Sequence, residues 1–266
     1  MCVHQKNFPI ILGLSMCKKS ISKKHPFITL SIISHGDLKK VVALLKGIDY
    51  YENAAELQII ITDNLGEDDF RENLPPDILF LRNSSPRGFG YNHNQAFQHA
   101  RGDYFCVLNP DIVFTEAVFH HLIVHIKKHQ ADILAPLVVD GDNTIQDSFR
   151  DLPTPGKILR RRLLRKTSIE EPIETLSPDW LAGMFLFMRT DTFLKLGGFD
   201  KRYHLYFEDV DFCTRARLAG FHLQLQSDLR VQHDAHRGSR SQPKYLLWHL
   251  QSAWKFFTSE TYRKAK

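Results

Sequence analysis

The sequence predicts an α/β fold, with a mainly parallel sheet covered by helices on both faces and a C-terminal helical extension. Short apolar runs rich in β-branched residues alternate with segments that carry apolar residues at helical spacing. Polar residues follow the ends of these runs, as at the ligand-binding edge of a parallel sheet. With 266 residues, 43% of them hydrophobic and 24% charged, the composition excludes collagen-like and disordered chains.

The first half of the chain alternates strand and helix. The run FITLSII at 27–33 is nearly continuous in apolar residues, which predicts a strand buried on both faces. The further elements predicted here are a helix at 37–48, strands at 57–62, 78–81 and 104–108, and a helix at about 91–100. Because such strands run parallel, their carboxyl ends should meet at one edge.

The second half predicts fewer regular elements. We expect Thr115 to cap a helix that runs to about residue 129. Residues 141–178 hold several prolines around a basic cluster at 157–166, which predicts a long mobile excursion. The remaining predicted elements are strands at 133–139, 180–188 and 229–232, a short helix ending at 197–198, and a helix that begins at Glu208.

Charge and cysteine content narrow the class of protein. The net charge of +5 equals the five lysines of residues 1–26, which hold no acid, so the remaining chain is balanced and we expect no nucleic-acid partner. The four cysteines form no C-x-x-C pair, which argues against a zinc knuckle or a disulfide framework and favours a reducing, cytoplasmic setting. No run approaches the roughly 20 apolar residues that span a bilayer.

Polar residues follow the predicted strands at Ser34-His35-Gly36, Asp63-Asn64, Arg87–Asn92 and Asn109-Pro110-Asp111. An acid placed like Asp63 often accepts hydrogen bonds from a nucleotide base or ribose, although turn formation or helix capping is the more common role of a lone Asp. Asp111 stands where a divalent cation with phosphate oxygens could be held, and a simple turn is the alternative.

Further candidates lie in the second half of the chain. Glu208 and Asp209 begin a helix, where acids are usually only partners of the helix dipole. His233 is unremarkable alone but becomes a candidate metal ligand in combination with Asp111. Asp179 and Trp180 are candidate sugar contacts because an aromatic face suits a sugar ring; core packing is as good an explanation for a lone Trp.

Taken in order, these motifs carry a resemblance that covers about residues 27–257. They are DN-x-G-x-D at 63–68, RGFGYN-x-N at 87–94, LNPD at 108–111, GMFLFMR at 183–189, GGFD at 197–200, YFEDVDFC-x-R at 206–215 and H-x-x-H-x-G-S at 233–239. The set resembles the inverting family 2 glycosyltransferases of the GT-A fold, and within them the bacterial rhamnosyltransferase-like group that assembles surface polysaccharides such as lipopolysaccharide.

The resemblance implies a role for each matching position. Asp63 would contact the nucleotide base, Asp111 and His233 would bind Mg²⁺ or Mn²⁺, and Asp209, paired with Glu208, would be the general base. The implied nucleotide and donor contacts are Ser34, His35, Asp63, Asn64, Arg87, Gly88, Asn92, Asn109 and Asp111, and the implied acceptor or sugar contacts are Asp179, Trp180 and Gly183. Two departures are Asn109 in place of the first acid of the D-x-D motif, and Ser34-His35-Gly36 in place of the more usual Tyr-Asn.

These expectations divide the chain into a basic tail at 1–26, a GT-A domain at 27–240 and an amphipathic C-terminal helix at 241–266. Within the domain, 27–111 would be the nucleotide-binding half and 112–240 the acceptor and catalytic half. The donor would be a dTDP-, UDP- or GDP-sugar, and the acceptor a saccharide or lipid-linked saccharide. A catalytically silent nucleotide-sugar or saccharide-binding relative is the alternative, and a nicotinamide-dependent oxidoreductase is disfavoured because no glycine fingerprint follows the first strand.

The C-terminal helix carries an apolar stripe formed by Leu246, Leu247, Leu250, Trp254 and Phe257, with basic residues around it. Together with the cluster at 157–166, the stripe suggests docking at an anionic membrane surface, on the inner face of the cytoplasmic membrane. Packing of the stripe on the domain, or against a second copy, is the other interpretation.

Overall fold

The computed structural model describes residues 28–52, 56–66, 71–129, 131–164, 177–233 and 243–266. The expected basic tail lies outside the described residues. The strands are β1 (Ile28–Ser34), β2 (Leu57–Asp63), β3 (Leu79–Arg82), β4 (Tyr104–Leu108), β5 (Ile112–Phe114), β6 (Ile133–Val139), β7 (Phe149–Arg150), β8 (Trp180–Leu181), β9 (Phe185–Arg189) and β10 (Leu223–His233). The helices are α1 (Leu38–Tyr51), α2 (Phe89–Phe97), α3 (Phe119–His129), α4 (Pro155–Leu164), α5 (Thr190–Lys195), α6 (Glu208–Leu218), α7 (Pro243–Phe257) and α8 (Glu260–Ala265).

Eight strands form one sheet in the order β3-β2-β1-β4-β9-β6-β10-β5. β1 pairs in parallel with β2 and β4, β2 pairs in parallel with β3, and β6 pairs in parallel with β10. The mainly parallel sheet is therefore confirmed, with β9 inserted antiparallel between β4 and β6. The register sets Ser34 beside Asp63, so the carboxyl ends of β1 and β2 meet at one edge as expected.

Helices cover both faces of the sheet, as predicted. Along β4, Tyr104, Cys106 and Leu108 face the core under α1 and α3, whereas Phe105 and Val107 face the core under α5 and α6. All five side chains are buried, which explains why this strand is apolar throughout. Each apolar side chain buried in this way contributes about 1.5–3 kcal/mol to folding.

The expectation of one strand over 180–188 is wrong. β8 pairs with β7 in a separate two-stranded sheet, whereas β9 belongs to the main sheet. Between them the chain turns at Ala182, Gly183 and Met184. An apolar run cannot reveal this change of sheet, because both short strands bury their side chains.

Two further boundaries differ from expectation. β10 spans Leu223–His233 instead of 229–232, because its glutamines interrupt the apolar pattern and a register shift falls between Gln226 and Arg230. Thr115 does not cap α3, which begins at Phe119. A carboxylate from the end of α1 takes that place: Glu52 Oε1 accepts hydrogen bonds from the backbone N–H groups of Val118 (2.5 Å) and Phe119 (3.1 Å).

The stretch at 141–178 contains more regular structure than the long mobile excursion that the sequence predicts. It contains β7 and the ten-residue helix α4, which starts at Pro155. The Thr154 hydroxyl accepts a hydrogen bond from the Lys157 backbone N–H at 3.2 Å, so proline and cap together begin the helix. Residues 165–176 lie outside the described part of the chain.

The C-terminal extension is two helices instead of one. α7 ends at Phe257, and Ser259 caps α8 by accepting a hydrogen bond from the Tyr262 backbone N–H at 3.1 Å. Phe256 and Tyr262 pack with Tyr203, Phe207 and Val210 in a third cluster of the core. Through this cluster, the C-terminal extension packs on the segment that precedes α6.

Candidate active site

Asp63 builds the turn at the end of β2. Its side chain is fully buried, and Oδ1 accepts hydrogen bonds from the backbone N–H groups of Leu65 (3.1 Å) and Gly66 (2.9 Å). Oδ2 lies 3.2 Å from Nε of Arg82. Burying a carboxylate is costly without such partners, so Arg82 and the turn stabilise the Asp63 side chain at the edge where a nucleotide would bind.

Asn64 joins three segments of this edge. Its Oδ1 accepts hydrogen bonds from the Arg87 backbone N–H and from Nδ2 of Asn83, both at 2.8 Å. Its Nδ2 donates to the Arg87 carbonyl at 3.0 Å and lies 3.1 Å from Nδ1 of His35. Asn92 is fully buried and accepts from Asn83 Nδ2 at 2.7 Å. The asparagines therefore fix the positions of His35 and Arg87.

The Arg87–Gly88 segment also touches the loop before α6. The exposed Arg87 guanidinium lies 5.4 Å from the ring centre of Tyr91. The Phe89 backbone N–H donates to the His204 carbonyl at 2.9 Å, and a Cβ on Gly88 would come within 2.6 Å of that same oxygen. Glycine is required here because the two backbones approach so closely. Ser34 has a local role, since its hydroxyl accepts the Asp37 backbone N–H at 3.1 Å.

Asp111 and His233 come together although they are far apart in sequence. β5 and β10 pair antiparallel, with His233 opposite Ile112, and Asp111 Oδ1 lies 3.2 Å from His233 Nε2. Asp111 Oδ2 lies 3.6 Å from Lys40 Nζ. Burial alone would raise the pKa of Asp111, but the hydrogen bond and charge of His233 and the charge of Lys40 together hold that pKa below its usual value.

Gln146 fixes the orientation of the His233 ring. Its Nε2 donates to the His233 carbonyl at 2.9 Å, so its Oε1 faces His233 Nδ1 at 2.8 Å and accepts the proton there. This leaves Nε2 as the ring nitrogen that faces the Asp111 carboxylate, 3.2 Å from Oδ1. A proton on Nε2 provides the hydrogen bond that links this pair, and a cation bound between the two atoms would take the place of that proton.

The donor set at this point fits a divalent cation. One imidazole, held by a hydrogen bond on its other nitrogen, and one carboxylate suit Mn²⁺ or Mg²⁺ when phosphate oxygens complete the coordination. Across the described ranges, no group of three or more His, Cys, Asp or Glu side chains could hold a metal alone. Asn109 lies in the turn just before Asp111, and its backbone N–H donates to the Met184 carbonyl at 2.9 Å.

Asp209 stands at the beginning of α6 and is held through both carboxylate oxygens. Oδ2 accepts the Gly183 backbone N–H at 2.9 Å, and Oδ1 accepts the Val210 backbone N–H at 2.8 Å. Burial raises the pKa of Asp209, partly offset by these bonds and by the Trp180 indole. A carboxylate with a raised pKa that is oriented by two backbone bonds suits a general base.

Glu208 has a different environment from its neighbour. Its side chain is 4% exposed, and Oε2 has no hydrogen-bond partner in the described structure. Burial, and then the charge of Asp209, raise the pKa of Glu208 well above its ordinary value. Glu208 is therefore the member of the pair that holds its proton more tightly, and Asp209 is the one that ionises more readily.

The two residues before this pair have left-handed backbones. Tyr206 has φ of 69° and Phe207 has φ of 65°, values that bulky side chains rarely adopt and that cost about 1–3 kcal/mol each. Phe207 is held in place by Phe256 and Phe257, with ring centres 5.6 and 5.8 Å away. The packing of α7 thus sustains the strained turn that presents Asp209.

Asp179 and Trp180 contact the elements around Asp209. Asp179 Oδ2 accepts the Leu152 backbone N–H at 2.8 Å, and Oδ1 lies 2.8 Å from an Arg217 guanidinium nitrogen. Trp180 is half-buried and packs against two clusters of the core. These contacts link β7 and β8 to α6. A sugar contact at Asp179 or Trp180 stays a prediction.

One short segment connects the two chemical centres. Gly183 donates to Asp209, and the next residue, Met184, accepts the hydrogen bond from Asn109, two residues before Asp111. A Cβ on Gly183 would lie 3.1 Å from the Phe89 ring, so there is little room for a side chain. Gln146 and Lys40, which contact the Asp111–His233 pair, were missed by sequence reasoning. Lys40 lies shortly after the end of a predicted strand, so its position could have marked it as a site residue. Gln146 lies in a stretch whose sequence shows no helix or strand pattern.

The fold matches that of solved GT-A glycosyltransferases. The structure of GalNAc-T7 with UDP, GalNAc and Mn²⁺ matches with a TM-score of 0.61 and 15% identity, over 80% of this chain and 44% of that one. The mannosyltransferase PcManGT from Pyrobaculum calidifontis, in complex with GDP-Man and Mn²⁺, matches with a TM-score of 0.59 and 15% identity, over 91% of this chain and 70% of that one.

Residues 37–192 match the model of the family described as Glycosyl transferase family 2. The chain belongs to this family and is a glycosyltransferase. It is 28% identical over 254 residues to the rhamnosyltransferase WbbL of Escherichia coli K12, covering 85% of this chain and 90% of that protein. It is 29% identical over 167 residues to the N-acetylglucosaminyl-diphospho-decaprenol L-rhamnosyltransferase of Mycobacterium tuberculosis, covering 58% of this chain and 54% of that protein. These relatives confirm the rhamnosyltransferase-like resemblance.

Proposed function

We propose that this glycosyltransferase moves a sugar from a nucleoside-diphosphate donor to an acceptor hydroxyl with inversion at the anomeric carbon. The observation that carries the proposal is the placement of Asp209, whose two oxygens are fixed by backbone N–H groups beside the segment that also holds the Asn109–Asp111 turn. Asp209 takes the proton of the acceptor hydroxyl as its oxygen attacks the anomeric carbon. The bond from that carbon to the diphosphate oxygen breaks in the same displacement.

Inversion follows from the number of available carboxylates. Glu208 is buried, so its carboxyl group cannot reach the anomeric carbon as a nucleophile. A single displacement with one base inverts the configuration. A divalent cation bound by Asp111 and His233 would neutralise the diphosphate leaving group. Asp63 would receive the base or ribose, and the exposed Arg87 would meet a phosphate.

We propose L-rhamnose as the sugar and a lipid-linked saccharide as the acceptor, in the assembly of a bacterial surface polysaccharide. Both relatives compared above are named rhamnosyltransferases, and the mycobacterial one is named for an acceptor built on decaprenol diphosphate. We place the enzyme on the cytoplasmic face of the membrane, where such an acceptor would be reached. No helix in the described ranges is long and apolar enough to cross a bilayer.

A donor panel tests this proposal. Purified protein is incubated with dTDP-, UDP- and GDP-sugars and Mn²⁺ or Mg²⁺, and release of the nucleoside diphosphate is measured. We expect release from one nucleotide class, its loss with EDTA, and its loss in Asp111→Ala. If no donor binds or is turned over in the presence of a lipid-linked acceptor, the proposal is wrong. Binding without turnover under those conditions would favour a silent relative.

A further inference from the structure

Helix α7 is apolar on two opposite faces, and only one of them packs on the domain. On the packed face, Ser252 and Phe256 are buried. On the other, Leu246, Leu247, Leu250 and Trp254 are 42%, 54%, 53% and 69% exposed. We call these four side chains the α7 apolar face. The predicted stripe is thus divided, because Phe257 packs against the third cluster of the core whereas these four side chains are exposed.

The α7 apolar face forms one continuous surface. Its members lie at positions i, i+1, i+4 and i+8 of a helix, which places them along one side over about 12 Å. Single exposed leucines are common on proteins, but an adjacent set that includes a Trp marks an interaction surface. Four such residues on a helix whose other face is anchored in the core are a rigid docking element.

The charges around this face indicate the kind of partner. Residues 243–266 contain Lys244, Lys255, Arg263, Lys264 and Lys266 against the single acid Glu260, a net charge of +4 from five cations and one acid. α7 itself carries no acid. An apolar strip with a Trp and flanking lysines has the chemistry of a helix that lies in the interface of an anionic membrane.

A second copy of the chain is a poorer occupant. In a two-fold dimer, the same surface meets itself, so the two segments of charge +4 would face each other. Like charges brought together at an interface oppose association. Anionic lipid headgroups, in contrast, would neutralise the net positive charge of this segment while the apolar side chains enter the boundary of the acyl chains.

We propose that the α7 apolar face docks the enzyme on an anionic membrane and that, through its packed face, α7 sets the position of the catalytic base at that surface. The docking itself does not depend on the proposed function. Its advantage to the enzyme, access to a lipid-linked acceptor, does rest on that function. The packed face of α7 holds the loop before Asp209. Ser252 Oγ donates to the Leu205 carbonyl at 2.9 Å, and Lys255 Nζ donates to the Arg202 carbonyl at 2.7 Å.

Further contacts continue this link up to the strained turn. The ring centres of His204 and Trp248 lie 4.5 Å apart, and those of Phe207 and Phe256 lie 5.6 Å apart in a tilted arrangement. His204 also accepts, through its carbonyl, the backbone N–H of Phe89 at the donor edge. The loop before α6, which α7 holds in place, thus contacts the donor edge and ends at the Glu208–Asp209 pair. An acceptor headgroup at the membrane would meet the base without a separate docking step.

Vesicle sedimentation tests the docking. Wild type is expected to bind vesicles that contain an anionic phospholipid and to bind zwitterionic vesicles weakly, with binding that falls as salt rises. The double variant Leu250→Ser/Trp254→Ser should weaken binding about tenfold or more, because it removes two inserting side chains. The matched control is Leu194→Ser/Leu218→Ser, which removes exposed leucines of α5 and α6. That control should bind like wild type.

Rates of sugar transfer with two kinds of acceptor test the link between docking and catalysis. They also distinguish a failure of docking from a failure of the proposed function. With a water-soluble acceptor, the α7 variant should keep wild-type turnover, whereas with an acceptor embedded in vesicles its rate should fall with binding. Thermal melts check that the variant is folded. The proposal is overturned if wild type ignores anionic vesicles, if both double variants bind equally, or if the α7 variant instead abolishes a dimer detected by sedimentation. Vesicle binding needs no donor, so it can fail or succeed independently of sugar transfer.

Discussion

Replacing Asp209 with Asn should reduce turnover about 100- to 10,000-fold, the usual contribution of a positioned general base. This loss corresponds to about 2.7–5.5 kcal/mol in the activation barrier. An amide cannot accept the proton of the acceptor hydroxyl. It also places an N–H₂ group against the backbone N–H of either Gly183 or Val210, now 2.9 and 2.8 Å from the carboxylate oxygens. One lost buried acceptor costs about 1–3 kcal/mol of stability.

Glu208→Gln is the matched control, because it makes the same chemical change one residue away. Burial raises the pKa of Glu208 and so favours its neutral form, whose shape Gln reproduces. Turnover should stay within about tenfold of wild type, since no proton transfer is assigned to this residue.

The assay is the initial rate of nucleoside-diphosphate release at saturating donor and acceptor, followed across pH. Because the pKa of Asp209 is raised, the wild-type rate should increase with pH through a limb that lies above the usual carboxyl pKa of about 4. Asp209→Asn should lose this limb. The reasoning is refuted if Asp209→Asn keeps wild-type turnover, or if Glu208→Gln loses as much activity as Asp209→Asn.

Three other predictions test the surroundings of the site. Gln146→Leu should weaken Mn²⁺ binding about 10- to 100-fold, because His233 loses its orienting partner; calorimetric titration of wild type and variant measures the change. Gly88→Ala should cost about 1–3 kcal/mol in denaturant unfolding, because its Cβ meets the His204 carbonyl, whereas Gly141→Ala, with open space around it, should not. Between the ordinary carboxyl pKa and the raised pKa of Glu208, the folded state binds more protons than the unfolded one, so stability falls as pH rises; Glu208→Gln should flatten that slope in thermal melts at several pH values.

The elements that could be predicted from sequence are those whose apolar pattern lies within the element itself. β1 and β4 are buried on both faces, so their residues are mostly apolar, and the alternation of strands with α1 and α2 predicts the fold class. β10 was predicted too short because polar residues alternate with its buried leucines. α3 was started too early because its cap, Glu52, comes from a distant helix.

The same distinction applies to the site. Asp63, Asp111 and Asp209 stand at strand ends or at a helix start, where the topology of a parallel sheet brings polar groups together. Gln146 lies in a stretch without pattern and reaches His233 across 87 positions. The hydrogen bond from Gly183 to Asp209, which orients the proposed base, depends on a change of sheet that an apolar run conceals.

The most direct test of the central claim is the anomeric configuration of the product, determined by nuclear magnetic resonance after transfer from the donor that the panel identifies, with Mn²⁺ and with EDTA. We predict that the new glycosidic bond has the configuration opposite to that of the donor, and that no product forms with EDTA or in Asp209→Asn. A product that retains the donor configuration, or transfer that continues at the same rate without metal and without Asp209, would contradict single displacement by this base.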